Sequence, residues 1–455
     1  MSQNSPSHER TCVSVVPGGA VQGRIRPPGS KSLTNRALIC AALASGTSQL
    51  NGALRSEDTE VMMESLAAIG IDVVATDAGR SLAVGGLAED RLDRKTRHEL
   101  FVANSGTTVR FLTAALSALG GRYRLRGVDR MHARPIADLV DAIAQIQAGS
   151  IATESDGGCP PVQIDSEGWS GASLRVAGNV SSQYLSGLMM AAPGALINSH
   201  HPAIEIQVVG EMVSRPYVDM TANVMRSFGA EVEVIDDDDQ SVQVTVSGEG
   251  YSGQTYPIEP DASAASYFWA AAAITGGDVT VLGLSENAMQ GDVVFCRVLA
   301  EMGCQFESST EGMTIRGRAS RGVDVDMNAI SDTVQTLSVV ALFAEGPTRV
   351  RGVAHNRFKE TDRIGDLACE LRKLGASVDE HEDGMTIHPP ANVKPATLET
   401  YNDHRMAMSL SLAGLAAKGI TILNPSCTAK TYPEYFADLE RLIGRSHRWG
   451  QAADS

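Results

Sequence analysis

The sequence predicts an α/β protein of two domains. Three observations carry this: a supersecondary unit that recurs six times, an apolar helix without a polar face in each copy, and a length of 455 residues at 43% hydrophobic content, enough for two or more cores. Each copy opens with a short polar turn, enters an Ala-rich apolar helix, stops at Gly and continues as a strand. The period is roughly 75 residues, longer than that of common solenoids but read the same way, as one supersecondary unit copied.

The first opening is Gly29-Ser30-Lys31-Ser32, followed by Ala37 to Ala44, Gly46 and a strand. The others are Asn104-Ser105-Gly106-Thr107, Asn179-Val180-Ser181-Ser182, Asp261-Ala262-Ser263, Ser331-Asp332-Thr333 and Asn402-Asp403-His404-Arg405. They fall where helix N-termini present free N–H groups, and those bind anions. The helices that follow are apolar nearly all round (Tyr267 to Ile274, Leu337 to Ala344, Met406 to Ala417), which makes them interior elements. A second helix in each unit tends to end in Gly before a strand, at Gly70, Gly229, Gly303 and Gly375, a C-cap signal. Ile364, Leu367, Ala368, Leu371 and Leu374 recur at helical spacing, so this helix is half buried. The coarse unit is strand–helix–strand–helix–strand, with room for one more strand. A ring of sheets enclosing buried helices is the economical arrangement, and six units fit two domains of three.

Composition excludes several classes. No apolar run reaches membrane-spanning length. The first ten residues are polar and lack the apolar core of a signal peptide; they and the last ten or so read as disordered tails. Seven cysteines are scattered singly, which argues against a structural metal or a disulfide framework and for a reducing cytoplasm. A net charge of −16 argues against nucleic acid as the main partner. The run Asp236-Asp237-Asp238-Asp239 reads as a solvated turn between strands. Against this acidic background Lys31, Arg36, Arg110, Arg134, Arg215, Lys359, Arg363, Arg405 and Lys430 sit close to unit openings or second-helix starts. A cation at a helix N-terminus opposes the dipole by a few tenths to ~1 kcal/mol unless an anion lies between them. The set implies a deep cationic cleft for a multiply anionic small molecule. Taken singly, Asp332 is equally an N-cap, Lys359 to Arg363 a solvated helix start, His404 a structural histidine, and Cys427 inert packing.

Pro28-Gly29-Ser30-Lys31-Ser32-Leu33-Thr34-Asn35-Arg36, Asn104-Ser105-Gly106-Thr107-Thr108-Val109-Arg110, Ser181-Ser182-Gln183, Lys359-Glu360-Thr361-Asp362-Arg363, Asn402-Asp403-His404-Arg405 and Thr428-Ala429-Lys430 together closely resemble the 5-enolpyruvylshikimate-3-phosphate synthase family. The resemblance runs from about residue 15 to about residue 445. Each motif alone is weak; six in order are specific. It implies a two-domain inside-out α/β barrel of six βαβαββ repeats, three per domain, with the active site in the interdomain cleft. On that reading residues 29–259 form the N-terminal domain and residues 11–28 with 260–446 the C-terminal domain. The chain crosses near Pro28 and Pro260, and 1–10 and 447–455 are tails.

The implied reaction is transfer of the enolpyruvyl group of phosphoenolpyruvate to the 5-hydroxyl of shikimate 3-phosphate, with loss of phosphate, in the cytoplasm, by a monomer, without metal or other cofactor. Matching implies Lys31, Ser32, Arg36, Ser181, Ser182, Gln183, Ser214, Tyr217, Asp332, His355, Asn356 and Lys359 at shikimate 3-phosphate. It implies Lys31, Asn104, Gly106, Arg134, Gln183, Arg363, Arg405 and Lys430 at phosphoenolpyruvate, where Arg forks suit carboxylate and phosphate. Asp332 is the implied base at the 5-hydroxyl. Glu360 is the implied proton shuttle at C3, with Lys31 its rival and His404 a weaker one; a carboxylate among cations suits a base better than an acid, so the division between Glu360 and Lys31 stays open. Closure of the two domains on the polyanion is expected.

Two departures stand out. His355 occupies a place where the family usually has Asn, and Asn356 follows it, so either side chain is expected to make that contact. Phe111 stands where many members have Pro behind the Gly106 turn, so a reshaped phosphoenolpyruvate pocket is expected, with inhibition by glyphosate retained. The alternatives are the sister transferase acting on UDP-N-acetylglucosamine, which typically relies on a loop Cys absent from Asp129 to Arg134, and a noncatalytic anion-binding relative.

Overall fold

The computed structural model describes residues 11–87, 93–199, 201–236 and 242–451. The expected tail at 1–10, the last residues 452–455 and Asp237 to Asp239 lie outside this range. The chain divides into two compact units. One is Pro28–Asp261 with Asn287–Gly291, and the other is Met1–Pro27 with Ala262–Glu286 and Asp292–Ser455.

Where the chain enters and leaves the first unit, its two passages run side by side. Ser30 N–H donates to the Glu259 carbonyl and Asp261 N–H to the Pro28 carbonyl, both at 2.8 Å. Gly29 is required there, because a Cβ would lie 1.9 Å from the Gly52 carbonyl oxygen.

The first unit holds three four-stranded sheets among its described residues. Their strands, in spatial order, are Thr255–Pro257, Thr47–Asn51, Ser81–Gly85 and Val73–Thr76; Arg97–Phe101, Gly121–Arg126, Val162–Trp169 and Gln147–Thr153; and Ser173–Ala177, Ala203–Val209, Val242–Ser247 and Glu231–Asp236. The second unit holds three more: Gln22–Ile25, Asp278–Leu282, Gly312–Arg316 and Gln305–Ser308; Asp324–Asp326, Thr348–Arg351, Gly384–His388 and Ser377–His381; and Ala396–Leu398, Ile420–Leu423, Thr11–Ser14 and Arg448–Gln451. In all six the first pair is parallel and the next two pairs are antiparallel. In four of the sheets a helix crossover joins the parallel pair, whereas Thr255–Pro257 meets Thr47–Asn51 and Gln22–Ile25 meets Asp278–Leu282 across most of a unit; the last pair is a hairpin in five and joins Thr11–Ser14 to Arg448–Gln451 in the sixth. No sheet among the described residues closes into a barrel.

Arg448–Gln451 corrects the expected C-terminal tail. It pairs antiparallel with Thr11–Ser14, and the Trp449 ring packs edge-on against Phe436. The sequence there is short and polar, and only the available edge of the Thr11–Ser14 strand makes it a strand.

The interior helices are Lys31–Ala42, Gly106–Leu119, Ser182–Asn198, Ala262–Thr275, Val334–Ala341 and His404–Ser411. Gly106–Leu119 and Ala262–Thr275 are buried at every position, as their lack of a polar face requires. The run from Met406 to Ala417, expected as one helix, is two: His404–Ser411 and Ala413–Ala416. Ser30, Ser105, Ser181 and Asp403 cap their helices through the side chain. The stops at Gly70, Gly229, Gly303 and Gly375 have φ of +91, +95, +109 and +96°, the left-handed geometry of a helix terminator. Gly187 brings the Ser182–Asn198 helix close to its neighbour, since a Cβ would lie 3.1 Å from the Arg110 carbonyl oxygen.

Candidate active site

The first unit holds eight of the residues expected at shikimate 3-phosphate (Lys31, Ser32, Arg36, Ser181, Ser182, Gln183, Ser214 and Tyr217) and also Asn104, Gly106 and Arg134, expected at phosphoenolpyruvate. Lys31, at the first position of its helix, pairs with buried Asp58 at 3.1 Å, and its N–H donates to Asp261 Oδ2 at 3.1 Å. One turn on, Arg36 is 1% exposed. Its Nε donates to Thr221 Oγ1 at 2.7 Å, Nη1 to the Ser32 carbonyl at 3.0 Å, and Nη2 to Ser186 Oγ at 3.2 Å and the Tyr217 carbonyl at 3.4 Å. The guanidinium carbon lies 5.3 Å from the Phe111 ring centre and 5.7 Å from that of Tyr217. No carboxylate among the described residues pairs with Arg36. Burial pushes it down to about 10, so it stays a cation at neutral pH with only neutral partners. Phe111 therefore packs against the Arg36 guanidinium.

Ser181 caps the Ser182–Asn198 helix, accepting from Gln183 N–H at 3.3 Å, and Ser182 is buried. Gln183 Oε1 accepts from Arg110 Nη1 at 2.7 Å. Ser214 is buried with φ +54°, a conformation side-chain-bearing residues rarely adopt, and its carbonyl accepts from Tyr217 N–H at 3.1 Å. Arg134 Nη1 donates to the Asn104 carbonyl at 3.0 Å and to Asn104 Oδ1 at 3.3 Å. A Cβ on Gly106 would lie 2.6 Å from Arg134 Nη2 and 2.8 Å from Arg110 Nη1, so glycine makes room for two buried guanidiniums. Arg215 does not join them; it pairs with Asp219 and Asp236 toward solvent.

In the second unit lie Arg363, Arg405 and Lys430 of the residues expected at phosphoenolpyruvate, together with Asp332, His355, Asn356 and Lys359 of those expected at shikimate 3-phosphate; Arg363, at the centre of their charged cluster, is 2% exposed. Its Nε and Nη2 donate to the two Asp403 oxygens at 2.8 and 3.2 Å, Nη2 also to Glu360 Oε2 at 2.7 Å, and Nη1 to Asp332 Oδ1 at 3.3 Å. Glu360 Oε1 accepts from Lys430 Nζ at 3.0 Å. Arg405 Nη2 donates to Asp332 Oδ2 at 2.6 Å, and Lys359 Nζ stands 3.9 Å from Asp332 Oδ1. Burial alone would lower Arg363; Asp403, Glu360 and Asp332 more than offset it and hold the guanidinium above its ordinary value. Four cations thus face three carboxylates.

The segment from Lys359 to Arg363 is a turn, not a helix start: the helix begins at Gly365, after Asp362 Oδ1 has accepted from the N–H groups of Ile364 and Gly365. Asp332 is likewise not a side-chain cap for the Val334–Ala341 helix; its carboxylate faces the arginines. Asn356 Nδ2 donates to the Ser331 carbonyl at 3.0 Å and so braces the backbone beside Asp332. His355 is buried, and desolvation, then the Lys359 ammonium, push it down to about 3, leaving a neutral imidazole. His404 is buried with Nδ1 3.6 Å from Asp403 Oδ1. Among the described residues no group of three His, Cys, Asp or Glu could hold a metal ion, and no helix is long and apolar enough to cross a membrane.

Sequence reasoning missed Asp58, the partner of Lys31, and Thr221 and Ser186, which hold Arg36. Asp58 follows Ser56 in a capping box and looks like any acid in a first turn. Asp403 was visible only as part of a polar opening, although it both caps its helix and grips Arg363.

Residues 15–439 match the family model of EPSP synthase (3-phosphoshikimate 1-carboxyvinyltransferase). A chloroplastic 3-phosphoshikimate 1-carboxyvinyltransferase of Brassica napus is 43% identical over 454 residues, covering 96% of this chain and 86% of that protein. A 3-phosphoshikimate 1-carboxyvinyltransferase of a Sulfurovum species is 41% identical over 431 residues, 94% of this chain and 99% of that protein. The solved structure of an EPSP synthase from Acinetobacter baumannii superimposes with a TM-score of 0.77 at 25% identity, covering 97% of this chain and all of that one. With the family model spanning nearly its whole length and such relatives on either side, the chain belongs to the EPSP synthase (3-phosphoshikimate 1-carboxyvinyltransferase) family.

Proposed function

We propose that this chain transfers the enolpyruvyl group of phosphoenolpyruvate to the 5-hydroxyl of shikimate 3-phosphate, releasing inorganic phosphate. The observation that carries the reading is the convergence on Arg363 of side chains from separate segments, Asp332, Glu360 and Asp403, with Arg405 and Lys430 on the outer oxygens of the first two. Addition–elimination on an anionic enol ester needs fixed positive charge with acid–base groups set into it, and this cluster combines the two.

In the proposed sequence C3 of the enol gains a proton while the 5-hydroxyl oxygen bonds to C2 and gives up its own proton. The tetrahedral intermediate then loses a C3 proton and phosphate. Asp332 takes the hydroxyl proton. It is held by Arg405 and Arg363, and an anion that engages those guanidiniums loosens their grip, so the base is freed when substrate is present. Both Glu360 oxygens already accept from cations, which suits removal of the C3 proton; Lys31, a donor beside Asp58, suits its delivery. His404 is left a supporting role beside Asp403.

Arg36 supports the shikimate side. A buried cation without a counter-charge is costly, and a substrate carboxylate supplies what Thr221, Ser186 and two carbonyls do not. Ser32, Ser181, Ser182, Gln183, Ser214, Tyr217, His355, Asn356 and Lys359 complete that ligand set. Asn104, Gly106, Arg134, Arg363, Arg405 and Lys430 take phosphoenolpyruvate. The six sheets with one pairing pattern further support reading the fold as six βαβαββ repeats, three in each domain, arranged as an inside-out barrel.

The test is phosphate release from the purified full chain given phosphoenolpyruvate, with either shikimate 3-phosphate or UDP-N-acetylglucosamine as acceptor. Turnover with shikimate 3-phosphate alone is expected. Turnover only with the nucleotide sugar, or with neither acceptor, overturns the reading.

A further inference from the structure

The geometry points to Glu370 as a positioning residue that sets the phosphoenolpyruvate clamp through the turn before Asp403. This rests on the functional reading above, in which Glu370 has no part. Glu370 is wholly buried on the Gly365–Lys373 helix, seven residues after Arg363. Both its oxygens accept from Lys373 Nζ at 2.8 Å, Oε1 accepts from the Tyr401 hydroxyl at 2.7 Å, and Oε2 accepts from Glu399 N–H at 3.0 Å. A buried carboxylate is retained only when its acceptor sites are filled, and two of these four hydrogen bonds come from one short segment, Glu399 to Tyr401.

That segment needs holding. Tyr401 and Asn402 have φ of +51 and +55°, two consecutive side-chain-bearing residues in the left-handed region. Glu370 holds the first through its hydroxyl, and Asn424 Nδ2 holds the second by donating to Asn402 Oδ1 at 3.1 Å. The next residue is Asp403, which receives Arg405 N–H at 2.8 Å and two Arg363 donors. The segment that ends at the Gly365 helix and the helix itself thus grip the 399–403 turn at two points, Arg363 at Asp403 and Glu370 at Tyr401. Release at Glu370 lets Tyr401 and Asn402 relax toward right-handed backbone. Asp403 then shifts, and Arg363 and Arg405 lose their common reference.

The experiment measures KM for each substrate in Glu370→Gln, in Tyr401→Phe and in the double variant. Glu370→Gln is expected to raise KM for phosphoenolpyruvate about tenfold, because small displacements of positioned groups cost that much or more, with KM for shikimate 3-phosphate within about twofold. Tyr401→Phe moves the same constant in the same direction by about threefold, and the double variant falls short of the product of the singles, as coupled residues do. If Glu370→Gln fails to fold, Tyr401→Phe decides. A folded variant in which both KM values rise equally, or neither rises, overturns the positioning role. Absence of wild-type turnover instead overturns the functional reading and this role with it.

Discussion

Arg405 donates to Asp332 twice, from Nη2 to the carboxylate Oδ2 at 2.6 Å and from Nη1 to the Asp332 carbonyl at 3.1 Å. The proposed base and a proposed phosphoenolpyruvate ligand are thus joined by two hydrogen bonds. Asp332→Asn keeps the shape of this pair and removes the proton acceptor. It is expected to lower kcat by about 10²–10⁴-fold, the usual worth of general base catalysis, an effect larger than that on either KM. Asn at near wild-type kcat would remove Asp332 from the reaction.

Arg36 is expected to act on one substrate only. Arg36→Ala removes a charge-assisted contact that contributes about 1.5–3 kcal/mol, so KM for shikimate 3-phosphate should rise by roughly one to two orders of magnitude. KM for phosphoenolpyruvate should stay close to wild type. Phe111→Leu removes the ring face at 5.3 Å and should follow Arg36→Ala in direction, with a smaller effect of about 0.5–2 kcal/mol. A Phe111→Leu effect confined to phosphoenolpyruvate would return Phe111 to the Gly106 pocket.

Gly106→Ala places a methyl group against Arg134 and Arg110. Both guanidiniums are buried and hydrogen-bonded, so they must move off Asn104 and Gln183. KM for phosphoenolpyruvate should rise about tenfold, a misplacement effect, and the inhibition constant of glyphosate, tested as a competitor of phosphoenolpyruvate, should rise with it. Steady-state kinetics of the variant with unchanged values for both would refute the assignment of this pocket.

Lys359 brings a pH dependence. Burial lowers it to about 8, against the pull of Asp332. A lysine is charged below its pKa and neutral above it, so its attraction for an anion fades as pH rises through about 8. KM for shikimate 3-phosphate should therefore climb between about pH 7 and about pH 9, and Lys359→Gln should flatten that limb. His355, pushed down to about 3, stays neutral throughout, so His355→Asn should leave the profile unshifted. A basic limb that survives in Lys359→Gln would assign it to another group.

Much of the fold was legible because its signals are local. Helix starts at Ser30, Ser105, Ser181 and Asp403 and stops at Gly70, Gly229, Gly303 and Gly375 each depend on a few adjacent residues. The strand Arg448–Gln451 was not legible, since its pairing partner Thr11–Ser14 is at the other end of the chain. Nor was the break at Leu412, which interrupts an apolar run with no Gly or Pro at that position.

By itself the sequence determined the α/β class, the number of helix starts, the interior character of their helices, and the set of cations and carboxylates from which a site is built. Periodicity, capping and composition act over a few residues, and a run of matching motifs needs no coordinates. The tertiary structure alone decided who partners whom: Asp58 with Lys31, Asp403 with Arg363, Thr221 and Ser186 with Arg36, Phe111 against that same guanidinium, and Glu370 under the Tyr401 turn. Buried charge is tolerated only where its hydrogen bonds are met, and the groups that meet them come from segments far apart in the chain, so no local pattern announces them.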